Sequence, residues 1–503
     1  MEIAMTTLFP WRQGMFPGPL CILAHPTVFI SASCVVFVFL FDGYDRIPPE
    51  EEKFLQKRDG SKTPQFTDFE GKTSVGMSIF NLSNAIMGSG ILGLSYAMSN
   101  TGIVLFLILL TCIAGLSCYS VHLLLRSAGV VGIRAYEQLG LRAFGQPGKI
   151  IAAVMITLHN IGGMSSYLFI VKSELPLVIQ AFLGQTSNSG DWFMNGNYLI
   201  IIVTVSVILP LALMKHLGYL GYTSGFSLAC MVFFLSAVIY KKFNIACPLE
   251  VFGNFSVSAV SEDSCTTKYF TINQETAYTI PILAFAFVCH PEVLPIYTEL
   301  SNPTRRRMQG VGSASILGMF VMYSFTATFG YLTFYENTEA ELLLNYSKVD
   351  PLDSLILCVR VAVLVAVTLT VPVVLYPIRR ALQQLLFPEK AFHWLRHIAI
   401  AVCLLFVVNL LVILVPNIRD IFGISEHTMT MILSGATTAP SLIFILPGLF
   451  YIRIIPTDLE PMTSRPKIQA ACFTALGFIF MTMSSTFIVL DWISGEKRNI
   501  GGH

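Results

Sequence analysis

Phe80-Asn81-Leu82-Ser83-Asn84-Ala85-Ile86-Met87-Gly88-Ser89-Gly90-Ile91-Leu92-Gly93-Leu94 is the stretch on which the fold turns. It lies within a run apolar enough to cross a membrane, yet two Asn, two Ser and three Gly fall inside these fifteen residues. Hydrocarbon tolerates non-helical backbone only where it lines a protein-enclosed or watery cavity. A spanning helix interrupted in this way points to the binding site of a transporter.

Composition agrees. Of 503 residues, 54% are hydrophobic and 12% are charged, about half the charge of an ordinary soluble domain. The chain reads as a polytopic membrane protein. Its net charge of +1 gathers no basic face, which argues against a nucleic-acid partner. Most of the 11 Cys lie in apolar runs, where a thiol acts as a small hydrophobe. Cys247 and Cys265 are exceptions, since both sit in one polar loop.

A spanning helix needs about 20 mostly apolar residues. Eleven candidates follow Thr73: 74–98, 102–125, 149–182, 198–214, 218–240, 277–297, 311–334, 353–378, 396–415, 427–452 and 468–491. One set of connecting loops carries Arg126, Arg134, Arg142, Lys149, Lys215, Arg305, Arg306, Arg307, Arg379, Arg380, Lys390, Arg396, Arg453, Arg465 and Lys467. The opposite set carries Lys241, Lys242, Lys268, Lys348, Arg419, Lys497 and Arg498. The first set is about twice as basic, which places it in the cytoplasm. Loop 241–276 then faces outside with Cys247, Cys265 and the sequon at Asn254, and a second sequon at Asn345 falls in the next outer loop. The chain divides into an N-terminal segment 1–73, mainly a cytosolic tail with an apolar run from Pro26 to Phe41; a five-helix unit 74–240; the outer loop 241–276; a second five-helix unit 277–452; and an eleventh helix with the C-terminus, 453–503.

No Cys or His pair has zinc spacing and no nucleophile-base set stands in the bundle, so the chain does not read as an enzyme. His159 and His290 are ionisable groups inside spans, where such groups are candidates for function. Lys172 and Glu174, near the outer end of the third span, are candidates to pair or to snorkel. Pro291 and Pro295 interrupt the sixth span as Gly88 to Gly90 interrupt the first. The eighth span contains Ala366-Val367-Thr368-Leu369-Thr370-Val371-Pro372, with two hydroxyls ahead of a proline.

Breaks in spans one and six, five apart, predict two five-helix repeats related by a pseudo-two-fold axis in the membrane plane, with the eleventh helix appended. Amides at Gly88, Ser89 and Gly90 suit a carboxylate. Carbonyls from Phe285 to Cys289, those of Phe285 and Phe287 among them, suit an ammonium. Freed carbonyls and Thr hydroxyls suit sodium, a hard cation. The expected cargo is a zwitterion with a co-bound cation.

Phe80 to Leu94, Tyr136-Glu137-Gln138-Leu139-Gly140, Ser165 to Ile170, Leu217-Gly218-Tyr219-Leu220-Gly221-Tyr222, Phe287 to Pro295 and Ala366 to Pro372 together resemble the sodium-coupled neutral amino acid transporters, from about Phe66 to the C-terminus. The resemblance is strongest to the system N branch, which moves glutamine, histidine and asparagine with sodium against protons. It implies an all-α leucine-transporter-like fold, a plasma-membrane location, a cytosolic N-terminus and an extracellular C-terminus. It further implies sodium ligands at Ser83, Asn84, Ile86, Thr368 and Thr370. Substrate contacts are implied at Asn84, Gly88, Ser89 and Gly90, and a disulfide between Cys247 and Cys265. His290 and His503 are the candidates for the counter-transported proton. Two alternatives stand beside this: an amino-acid sensor, and a sodium symporter of small, alanine-type substrates. Pro26 to Phe41 is foreign to the family pattern, and Ser425 to Leu433, before the tenth span, reads as an insertion.

Overall fold

The computed structural model describes residues 71–183, 192–245, 265–272, 276–349, 353–387, 393–414 and 435–500. Pro26 to Phe41, Cys247, Asn254, Ser425 to Leu433 and His503 lie outside the described residues. Apart from one isolated bridge between Thr73 and Leu300, the described residues carry helices and turns. The first span is α1 (Val75–Met87), a 3-10 turn (Ser89–Gly93) and α2 (Leu94–Ser99). Then come α3 (Ile103–Val131), α4 (Tyr136–Leu183), α5 (Gly196–Ala212) and α6 (Leu220–Asn244). The sixth span is α7 (Thr276–Ala286) and α8 (His290–Glu299). It is followed by α9 (Arg305–Phe334), the short α10 (Leu342–Val349), α11 (Ser354–Leu386), α12 (Trp394–Leu414), α13 (Gly435–Ile454) and α14 (Arg465–Ile500).

Among the described residues, nine helical segments are long and apolar enough to cross a membrane. The first span, bent by 44° between its halves, makes a tenth, and α5 is a shorter apolar helix where the fourth span is expected. Local chemistry sets the helix starts. Ser74 caps α1 by accepting from the Met77 amide at 3.3 Å, and Asp353 caps α11 by accepting from Leu355 and Ile356 at 2.8 and 3.3 Å. The third span is longer than its apolar run. α4 begins at Tyr136 and turns at Gly145 (φ 69°), two residues before Pro147, so a polar arm precedes the apolar part.

Two expectations about the spans change. The break in span six lies at Phe287 to Cys289, ahead of Pro291, which stands in the first turn of α8. Proline lacks an N–H that the first turn would leave unpaired anyway, so it starts the second half-helix. Pro295 lies within that helix. Lys172 and Glu174 do not pair with each other. Lys172 donates to the Val412 carbonyl at 2.9 Å, and the buried Glu174 carboxylate faces the Arg360 guanidinium at 3.5 Å.

α1 packs against α6 and α9, while α11 packs against α4 and α6. This surrounds the two broken helices with intact ones, so their irregular backbone is buried in protein.

Candidate functional site

The two breaks lie against each other. A Cβ built on Gly90 would stand 3.1 Å from the Ala286 Cβ, so glycine here allows the close approach of span six to span one. Tyr323, from α9, holds both breaks at once: its hydroxyl lies 2.7 Å from the Ile86 carbonyl, 3.2 Å from that of Met87 and 3.0 Å from that of Ala286. Where a helix stops, its last carbonyls lose their intrahelical donors. One phenol answers carbonyls from both ends.

One turn earlier, α1 carries a buried polar ladder. Asn81 and Asn84 are three apart on α1, and Ser224 and Ser227 are three apart on α6, so each pair shares a helix face. Ser224 Oγ donates to Asn81 Oδ1 at 2.8 Å, and Asn84 Nδ2 donates to Ser224 Oγ at 3.3 Å. The Asn84 carbonyl oxygen then meets Ser227 Oγ at 2.7 Å and Thr370 Oγ1 at 3.0 Å. Both hydroxyls also reach the Ala366 carbonyl, at 3.1 and 2.8 Å. Four neutral oxygens from three helices thus converge, a donor set that suits a hard monovalent cation.

Beyond the break lies a narrow cavity. Its wall is formed by Ala85, Ile86, Gly88 and Gly90 from span one, Phe285, Ala286, Val288 and Glu292 from span six, His159, Asn160, Gly163 and Tyr167 from α4, and Val374 from α11. Gly88 adopts φ +36°, and a Cβ there would stand 2.6 Å from the Tyr167 hydroxyl oxygen. His159 Nδ1 lies 3.0 Å from Thr438 Oγ1, and its ring packs on Phe285 at 5.4 Å between centroids. Asn160 Nδ2 reaches both the Glu292 carboxylate at 3.2 Å and the Val374 carbonyl at 3.0 Å.

The residues singled out from sequence fall into three groups. Gly88, Gly90, Ile86 and Phe285 line the cavity, while Asn84 and Thr370 meet beside it. Ser89 and Phe287 point elsewhere. Ser89 Oγ shares a hydrogen with Ser166 Oγ at 2.7 Å, and the Phe287 ring packs on Tyr323 at 5.3 Å. Thr368 makes no hydrogen bond with Asn84 among the described residues, because residues two apart on a helix face different sides. Ile86 has its carbonyl bonded to Tyr323, and Ser83 is buried in the last turns of α1.

Two expectations are corrected. Asn345 sits in α10 at 4% exposure, with Nδ2 donating to the Asn337 carbonyl at 2.7 Å and Oδ1 accepting from the Glu339 amide at 2.8 Å. A glycan needs that nitrogen at the surface, and in this fold it is turned inward. His290 is fully buried, and neither of its ring nitrogens has a hydrogen-bond partner among the described residues. It forms no part of the cavity wall, whose titratable side chains are His159, Tyr167 and Glu292.

Ser224, Ser227, Tyr323, Asn160, Tyr167 and Glu292 carried no assigned role in the sequence reading. Ser227 stood no higher than any other helical serine, because serine in an apolar helix usually bonds its own backbone. Tyr167 and Glu292 lay within recognised motifs, the only hint of function that the sequence held for them.

A helical bundle of membrane-spanning length, built around two broken helices and a buried polar cavity, defines a membrane transporter of the leucine-transporter fold. The chain belongs to the transmembrane amino acid transporter protein family, whose pattern matches residues 71–490, and within it to the sodium-coupled neutral amino acid transporters. It is 54% identical over 474 residues to the sodium-coupled neutral amino acid symporter 2 of Danio rerio, covering 92% of each chain. It is 53% identical over 477 residues to the sodium-coupled neutral amino acid transporter 4 of Homo sapiens, covering 84% of this chain and 85% of that one. The crystal structure of MhsT in complex with L-phenylalanine superposes with a TM-score of 0.55 over 84% of this chain and 99% of that one. At 14% identity this likeness concerns the fold alone.

Proposed function

We propose that this protein carries a neutral amino acid across the plasma membrane together with sodium, by alternating access around the two broken helices. Glutamine, histidine and asparagine are the proposed cargo, with a proton moving in the opposite direction. The observation that carries this reading is the meeting of the Asn84, Ser227 and Thr370 side chains with the Ala366 carbonyl, beside a cavity walled by Gly88 and Gly90. Sodium would take those oxygens in place of their mutual hydrogen bonds, with Ser83, Ile86 and Thr368 as further proposed ligands. The backbone at Gly88 to Gly90 would hold the substrate carboxylate, and Phe285 would flank the rest of it. The names of both close relatives, which specify sodium coupling and neutral amino acids, support the reading.

The same reading places the N-terminus in the cytosol, and the C-terminus, a glycan on Asn254 and a Cys247–Cys265 disulfide outside. In its favour, Cys265 is not a free thiol. The described part of its loop is tied to the end of span one: Ile103 N–H donates to the Lys268 carbonyl at 3.1 Å, and Thr271 N–H to the Thr101 carbonyl at 2.9 Å.

Uptake of radiolabelled glutamine, histidine and alanine, with sodium replaced by choline at two values of pH, tests the proposal. Asn84→Ala and Ser227→Ala are each expected to raise the half-saturating sodium concentration about tenfold, the loss of roughly 1.4 kcal/mol. Unchanged sodium activation in both variants would remove this cluster from the sodium site.

A further inference from the structure

We propose that Glu292 is the proton-exchanging counter-charge of the transport site: its carboxylate faces the substrate ammonium and sodium in the loaded state, and carries a proton when the cavity is empty. This rests on the amino acid and sodium reading above.

The geometry is that of an acid without a base. Glu292 is 3% exposed and lines the same cavity as Gly88 and Gly90. Its carboxylate meets two neutral donors, the Asn160 amide at 3.2 Å and its own backbone amide, and among the described residues no Lys or Arg pairs with it. The other carboxyl, Glu299 at the far end of α8, accepts from the Leu217 and Gly218 amides at 2.9 and 2.6 Å and from the Tyr376 hydroxyl at 2.9 Å. Glu292 has no such cradle. An ion buried without compensation costs several kcal/mol, so the carboxylate requires either a cation or a proton.

The surroundings supply no permanent cation. α4 presents His159, already bonded to Thr438, and Tyr167. α3 presents Cys118, α9 presents Tyr323, and α8 itself presents Cys289 and His290. α1 and the π-turn Ser441–Ile445 present no titratable group. On α11, Tyr376 is bonded to Glu299, and Arg379 donates to the Ala212 and Met214 carbonyls. Neither these two nor Arg380 belongs to the cavity wall.

Charge arithmetic then links the two cargoes. A carboxylate with a zwitterion and one sodium ion is neutral, and so is an empty cavity with a protonated carboxyl. Both states cross the membrane without an uncompensated charge. On loading, the Glu292 O–H bond breaks and its proton leaves to water in the open vestibule. After the cargo is released to the other side, the carboxylate takes up a proton from that side. One sodium and one amino acid therefore move against one proton.

The test is calorimetric titration of sodium into the purified full-length chain in saturating glutamine, in buffers of different ionisation enthalpy. The wild type is expected to release about one proton per bound sodium, since a neutral site must lose one positive charge for the one it gains. Glu292→Gln releases none, and Glu292→Asp, which keeps the carboxyl, restores the release. A wild type that binds without releasing protons, a Glu292→Gln that releases as many as wild type, or a Glu292→Asp that binds without release or fails to bind overturns the assignment. An Asn160–Glu292 pair that only joins helices would not move this readout. A wild type whose sodium binding is unchanged by glutamine, histidine and alanine alike would instead overturn the transport reading itself.

Discussion

Gly88 stands at φ +36° with the Tyr167 hydroxyl oxygen 2.6 Å from where a Cβ would be. Backbone conformation and space both demand glycine there. Gly88→Ala is expected to lower the initial rate of amino acid uptake more than tenfold, by distorting the break. Gly76→Ala, whose Cβ would meet nothing within 4 Å, is expected to keep the wild-type rate. Surface biotinylation separates lost transport from lost delivery, and equal uptake by the two variants would contradict the assignment. Gly88 and Asn84 were legible in the sequence because a flexible or polar residue in a membrane run needs a reason. Ser227 was not. Ser206 and Ser236 are exposed helical serines that donate to carbonyls four residues back, at 2.6 and 2.8 Å. Only the position of α6 beside α1 makes Ser227 different from them.

At the scale of elements, the two half-helices of span six end in unlike ways. α8 begins with His290 and Pro291 and ends on Glu299, whose backbone carbonyl accepts from the Thr73 amide at 3.0 Å. Ser301 N–H donates back to the Thr73 carbonyl at 2.8 Å, and the Glu299 carboxylate holds the Leu217–Gly218 turn and Tyr376. One residue therefore latches the entry to α1 through its backbone, and the turn before α6 and α11 through its side chain. Glu299→Ala would leave the Leu217 and Gly218 amides unpaired, at about 1–3 kcal/mol each where water cannot reach them. The latch should loosen. A cysteine placed at Ser301 (Ser301→Cys) in the solubilised protein is expected to react with maleimide at least several-fold faster when Glu299 is also replaced by Ala. An unchanged rate would show that the latch does not hold this end closed. The existence of a break in span six was readable from its prolines, but its position was not. Proline stops a helix that precedes it and starts one that follows, and only the packing around Phe287 to Cys289 chose between them.

For the whole molecule, charge bias in the loops predicts which face is cytosolic. Lys268 lies in the loop tied to the end of span one, where it pairs with Glu336, and Arg306 is exposed at the start of α9. Lys268→Cys is expected to react with a membrane-impermeant maleimide on intact cells, and Arg306→Cys only after permeabilisation. The reverse pattern would invert the topology and move the glycan and disulfide proposals to the wrong face. The sequence by itself determined that this chain crosses a membrane many times and that its first and sixth spans break, and it singled out Asn84 and the Gly88–Gly90 segment. Hydrophobic length, charge bias and misplaced polar residues are local quantities, and a single chain displays them directly. The tertiary structure alone decided that Thr370 rather than Thr368 meets Asn84, and that Ser227 joins them. It also decided that Tyr323 ties the two breaks together, and that Glu292 rather than His290 faces the cavity. Those facts depend on which faces of separate helices meet, and a helix's rotation about its axis is set by its neighbours.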